Sequence, residues 1–214
     1  YPLIMKRIYF DMAATTPLDP QVSEFMVSVM NSTYGNPSSI HKFGQESHST
    51  IERARMQVAN ALSCDTSEII FTGCGTESNN IVLQGILNSG DHIISSEYEH
   101  PAVLKVLDNL AKKGVEFSLV KPNKHGVVNP EDVKNAINPN TKLISIMAVQ
   151  NELGTVNPIG AIGELALQHE ILFHTDAVQM FGKLPIDLND IHVDFLSVSA
   201  HKLYGPKGIG ALYI

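Results

Sequence analysis

Ser199-Ala200-His201-Lys202-Leu203-Tyr204-Gly205-Pro206-Lys207-Gly208 is the stretch on which the reading of this 214-residue chain turns. Before it, Asp194-Phe195-Leu196-Ser197-Val198 is a short, mostly apolar run, the composition of a strand buried in a parallel sheet. After it, Gly and Pro break the chain, and Ile209-Gly210-Ala211-Leu212-Tyr213-Ile214 reads as another strand. Lys202 therefore sits just past a strand end, among small and hydrogen-bonding residues. A lysine partly withdrawn from water there has a lowered pKa, and its amine is a nucleophile towards carbonyls. Taken alone, the stretch equally suits a solvated lysine in a loop.

Working upstream, the same grammar repeats. Strands are expected over 68–72, 92–95, 115–120, 142–149 and 171–174, with the runs either side of the lysine stretch as the sixth and seventh. Helices are expected over about 75–88, 101–113 and 161–169, with a short one from Pro130. Nearer the start, Asp19-Pro20 reads as an N-cap with Pro in the first turn, opening a helix to about residue 30. Residues 43–62 have helical apolar spacing and charged pairs such as Glu52 and Arg55. Strand–helix alternation implies an α/β fold, a mainly parallel sheet with helices on both faces. In such sheets ligands bind at the carboxyl ends of the strands. Polar motifs follow strands one, two, four, five and six, all on that edge.

The rest of the composition narrows the possibilities. The chain is long enough for one sizeable core, with 43% hydrophobic and 17% charged residues and no repeat or low-complexity linker. A formal net charge of −7 does not favour nucleic acid, whose binding rests on phosphate neutralisation by Lys and Arg. No run approaches the ~18 apolar residues that cross a bilayer, and no secretory signal pattern is present. Cys64 and Cys74 form neither a CxxC nor a ligand cluster, which argues against a disulfide framework or zinc site and for a reducing, cytoplasmic setting. Residues 1–4 read as an extension upstream of a start at Met5.

Each motif offers chemistry beside a plainer alternative. Gly75-Thr76 opens a helix directly after a strand, so free N–H groups and positive potential are available to an anion; an ordinary capped turn is the alternative. His100 follows strand two and can move protons near neutral pH, though a lone histidine is more often structural. Asp176 ends strand five, where a carboxylate can hold a ring nitrogen protonated or cap the next turn. Gln179 lies three residues on, and Asn151 follows strand four.

Together these segments resemble the cysteine desulfurases of the class V aminotransferase family, which use pyridoxal 5'-phosphate (PLP). The resemblance rests on Tyr9-Phe10-Asp11-Met12-Ala13-Ala14-Thr15-Thr16-Pro17, Gly35-Asn36-Pro37-Ser38-Ser39 with His41, Gly75-Thr76, Glu99-His100-Pro101-Ala102-Val103, Val149-Gln150-Asn151-Glu152-Leu153-Gly154 and the lysine stretch. Met12 departs from it, standing where a polar residue is usual. The segments around His100 and Asn151 are similar to the iron–sulfur-assembly and nitrogen-fixation branch. The resemblance implies a fold-type-I large domain over 19–214, preceded by an arm over 1–18, with a seven-stranded mainly parallel sheet. It makes Lys202 the Schiff-base lysine and puts the cofactor phosphate on Gly75 and Thr76, helped by Ser199 and His201. His100 would stack on the ring, Asp176 face the ring nitrogen, and Gln179 and Asn151 lie near the phenolic oxygen. It also implies L-cysteine as substrate, a homodimer, and a sulfur-accepting protein such as an iron–sulfur scaffold.

Members of that family are longer. The resemblance places a lent threonine, a carboxylate-binding arginine, a small domain and a mobile nucleophilic cysteine beyond Ile214. Neither Cys64 nor Cys74 matches that cysteine, so these residues alone are not expected to release sulfur. An aminotransferase or selenocysteine lyase of the same family, or a non-catalytic PLP-binding remnant, are the other readings.

Overall fold

The computed structural model describes residues 7–214, so the expected start at Met5 lies outside the described residues. Helix α1 (Pro20–Ser32) begins where the sequence predicts. Asp19 accepts from the Gln21 N–H at 2.7 Å, and Pro20 fills the first turn without wasting a donor. Helix α2 (Lys42–Leu62) closes on Ser63, a non-glycine residue at φ 58°. Its Glu52–Arg55 pair forms at 3.2 Å. Arg55 also stacks over Phe71 and donates to the Ile69 carbonyl, which ties the helix to the first strand.

Then the alternation begins: β1 (Ile69–Thr72), α3 (Gly75–Ile86), β2 (His92–Ser96), α4 (Pro101–Ala111), β3 (Glu116–Val120), α5 (Pro130–Asn135), β4 (Thr141–Ser145), α6 (Ile159–Gln168), β5 (Leu172–Asp176), β6 (Phe195–Ser199) and β7 (Gly210–Tyr213). The seven strands make one sheet in the order β1-β7-β6-β5-β4-β2-β3. β7 runs against both its neighbours, and every other pairing is parallel. The expected α/β architecture is met. Most element ends shift by one or two residues, and the largest difference is in β4: the apolar run 142–149 pairs as a strand only to Ser145. Beyond it, Ile146, Met147 and Ala148 stay buried, and the Ile146 and Ala148 N–H groups donate to the carbonyls of His174 and Asp176. An apolar run reports burial, and burial continues past the regular ladder.

Successive strand residues point to opposite faces, so each strand feeds two cores. Ile93, Leu143, Phe195 and Leu212 pack with Val82, Leu83, Val103 and Leu107 of α3 and α4. Their neighbours Ile94, Ile144, Leu196 and Ala211 pack with Leu62 of α2, Val133 of α5 and Ile162 of α6. Each large side chain buried this way stabilises the fold by roughly 1.5–3 kcal/mol. By contrast, α1 buries none of its residues, and Phe25 and Met30 stand exposed on it.

Polar rungs cross the sheet interior. His174 on β5 lies between Ser145 on β4 and Ser197 on β6, with Nδ1 2.8 Å from one hydroxyl and Nε2 3.0 Å from the other. His92 on β2 spans Thr141 and Ser118 in the same manner. Burial pushes the His174 pKa down to about 3, so the folded protein holds a neutral ring that the unfolded chain would protonate below ~6.5. The histidine's contribution is therefore full above that value and is lost as pH falls towards 3, by on the order of 4–5 kcal/mol. Urea unfolding of wild type and His174→Asn should show a stability gap that is widest at neutral pH and narrows steadily with acidification. A gap independent of pH would mean the ring acts only by packing.

Candidate active site

Five strand ends converge on one cleft of about 230 Å³. All nine residues expected to form a site line it: Gly75, Thr76, His100, Asn151, Asp176, Gln179, Ser199, His201 and Lys202.

After β1 the chain turns at Cys74, which is fully extended and makes no side-chain cap to α3. The first N–H groups of a twelve-residue helix, at Gly75 and Thr76, are thus left for an anion at the cleft. Gly75 also has a packing reason to be small. A Cβ there would lie 2.6 Å from Val178 Cγ2, so glycine lets the helix start seat against the turn after β5. Cys74 also lines the cleft, but its carbonyl accepts from the Ser78 N–H and the Thr72 hydroxyl. Its turn is fixed, as a swinging sulfur carrier could not be.

After β2, His100 caps α4, with Nδ1 accepting from the Ala102 N–H at 3.1 Å. The neutral ring therefore carries its proton on Nε2, the nitrogen left for a ligand. Beside it Glu99 is buried, and its Oε1 accepts from the Ser96 hydroxyl and the Met147 N–H, both at 2.8 Å. This carboxyl ties the end of β2 to the end of β4. Burial pushes its pKa up to about 8, while Oε2 has no partner among the described residues. Asn151 lies in the turn after β4, donating to Glu152 at 2.9 Å.

Asp176 ends β5. Its Oδ2 accepts from Asn79 at 2.7 Å and its Oδ1 from the Val178 N–H at 3.0 Å. Burial raises its pKa, opposed by those two donors and by the nearby His100 and Lys202. The turn-capping alternative is thus present, but it engages only one of the two carboxylate oxygens. Asn79, invisible as a site residue in the sequence reading, sits on the buried face of α3 at 75, 78, 79, 82 and 83. A polar residue on that stripe was the available signal. Gln179 is turned towards the arm: it donates to the Ala13 carbonyl at 2.9 Å and accepts from Lys183 at 2.8 Å.

After β6, Ser199 is buried and Ala200–Lys202 form a 3₁₀ turn. Burial holds the Lys202 amine below the usual lysine range, against the opposing pull of Asp176, Asp11 and Glu152. Burial likewise lowers His201, helped by Lys202 and Lys207. The cleft therefore offers a helix N-terminus, a reactive amine, a buried carboxylate and an imidazole together. That donor set suits a ligand with a phosphate, a carbonyl and a basic ring nitrogen.

The family model for aminotransferase class V matches residues 8–214. The chain belongs to the class V aminotransferase family. Among class V relatives, the cysteine desulfurase IscS of Dictyoglomus turgidum is 48% identical over 215 residues, covering 98% of this chain and 55% of that protein. The mitochondrial cysteine desulfurase of Saccharomyces cerevisiae is 44% identical over 214 residues, covering 98% of this chain and 43% of that protein. A solved structure described as SspA in complex with cysteine superimposes with a TM-score of 0.93 at 43% identity, covering 97% of this chain and 61% of that one. A NifS-like protein matches with a TM-score of 0.93 at 40% identity, covering 98% and 59%. The chain spans about half the length of the curated relatives it matches. The resemblance expected from the motifs holds over nearly the whole chain. Among the described residues, no helix is long and apolar enough to cross a membrane and no cluster of metal-ligating residues occurs.

Proposed function

We propose that this class V chain is the cofactor-binding part, arm 1–18 and large domain 19–214, of a PLP-dependent cysteine desulfurase. The enzyme would convert L-cysteine to L-alanine and pass the sulfur to an acceptor. The observation that carries this reading is the meeting of nine residues from five strand ends around the amine of Lys202. The names of its relatives agree with it. PLP, when bound, supplies an aldehyde for an amine and a ring that takes up electron density. The residues fit it: Gly75 and Thr76 would hold the phosphate, with Ser199 and His201 beside them.

Lys202 offers the amine, and its lowered pKa increases the fraction able to attack a carbonyl or to take a proton from a substrate carbon. Asp176, desolvated yet held by two donors, would keep a facing ring nitrogen protonated. His100 would stack on the ring with Nε2–H free to move a proton, and Asn151 and Gln179 would hold the phenolic oxygen, Gln179 after releasing the Ala13 carbonyl. The cysteine that accepts sulfur is not among the described residues in this reading. The exposed apolar residues of α1 suit a homodimer contact, and an iron–sulfur scaffold would be the acceptor. Free Cys64 and Cys74 suit a reducing compartment. The cytoplasm is one, and relatives named mitochondrial and mitosomal extend the choice.

The test is borohydride reduction of the chain incubated with PLP, followed by peptide mapping. A pyridoxyl tag is expected on Lys202; a tag on Lys207, or none, would defeat the proposal. Product analysis of a longer form with cysteine and with selenocysteine separates desulfurase from selenocysteine lyase.

A further inference from the structure

The segment before α1 reaches the cleft at Ala14 and also binds the turn that carries Lys202. Thr16 is 5% exposed, and its N–H and its hydroxyl both donate to the His201 carbonyl, at 2.9 and 3.0 Å. The same hydroxyl oxygen accepts from the Tyr204 N–H at 2.7 Å. One side chain therefore bridges the residues on either side of Lys202, closing the turn from 201 to 204. Tyr204 sits at φ 61°, a conformation a tyrosine holds only when its neighbours fix it. Thr15 adds a third contact to the His201 carbonyl, at 3.3 Å. Immediately before these threonines, the carbonyls of Ala13 and Ala14 receive the Lys202 ammonium, Ala14 at 2.9 Å.

We propose that Thr16 is a positioning residue for Lys202. Its hydroxyl clasps the lysine turn so that Nζ rests on the Ala13 and Ala14 carbonyls until an aldehyde arrives. The proposal deepens the PLP reading and rests on it for the aldehyde, though not for the clasp. When the amine condenses, Nζ leaves both carbonyls, a proton passes to solvent, a C=N bond forms, and the aldehyde oxygen departs as water. A turn held from both sides returns the amine to one place; a loose turn spreads it over many.

Thr16→Val removes one donated and one accepted bond while keeping volume, and Thr16→Ser keeps both. Two readouts are made on the 214-residue chain. The first is the PLP concentration needed for half-maximal borohydride tagging of Lys202. The second is trace acetylation without cofactor, comparing Lys202 with Lys183 and Lys207 in the same molecule. Thr16→Val is expected to need about tenfold more PLP and to acetylate Lys202 several-fold faster than wild type, with Thr16→Ser within about twofold of wild type. General loosening would raise all three lysines together, and that result overturns the proposal. So does a serine variant as impaired as the valine, or a valine variant equal to wild type in both readouts. A wild-type chain that takes no tag, with the acetylation change still confined to Lys202, defeats the cofactor reading and supports the clasp.

Discussion

Lys202→Ala is expected to slow exchange of a substrate α-proton with solvent by about 10²–10⁴-fold or more, the span a positioned acid–base group contributes. The measurement is deuterium incorporation into L-alanine in heavy water with PLP present, which needs no sulfur-accepting cysteine. Among the described residues Lys202 is the only lysine lining the cleft. Lys183 is engaged at Gln179. His100 can exchange a proton through Nε2 but cannot condense with an aldehyde, so it could replace only one of the two roles proposed for the lysine. Lys202→Arg should fare no better than alanine, because a guanidinium stays charged and is no nucleophile. Stability should change little, since Nζ bonds only two arm carbonyls. An exchange rate within tenfold of wild type would shift the proton transfer to another group.

Much of this site was legible because each motif is local. A strand reads as an apolar run, and the polar cluster after it must fall at the sheet's carboxyl edge. Gly75, His100, Asn151, Asp176 and Lys202 each follow such a run, so their convergence needed only the parallel arrangement. What local reading could not reach is contact between distant segments. The Thr15 hydroxyl meets the His201 ring across a separation of 186 residues, and nothing in the spacing of either announces it. The direction of β7 was equally hidden, since the same alternating run suits either sense of pairing. Gln179 was correctly placed three residues past Asp176, but its orientation is set by Ala13, which only the folded arm supplies. Asn79 and Glu99 lie close to Gly75-Thr76 and His100 in the sequence without showing a role there. Their importance comes from burial, and burial of a polar side chain is decided by packing.

Asp176→Asn should weaken PLP binding by roughly 10–150-fold, the equivalent of about 1.5–3 kcal/mol for a hydrogen bond to a charged group. The fold should tolerate the change. The Asn79 Oδ1 is buried without a partner among the described residues, and its Nδ2 now serves Asp176. Rotating the Asn79 amide would turn that oxygen towards the new side-chain amide, giving it the donor it lacks. The Val178 N–H keeps an acceptor if the new carbonyl faces it. What disappears is the negative charge proposed to face the ring nitrogen, so binding and electron withdrawal should suffer while unfolding barely moves. Acidification supplies an independent check. Burial raises the Asp176 pKa, and the charge is therefore lost at a higher pH than for an exposed aspartate. Wild-type affinity for PLP should fall through that range as pH drops, and the asparagine variant should lack that limb. Spectral titration of both proteins over a pH series measures it. Parallel curves with equal affinities would show that Asp176 only caps the turn at Val178.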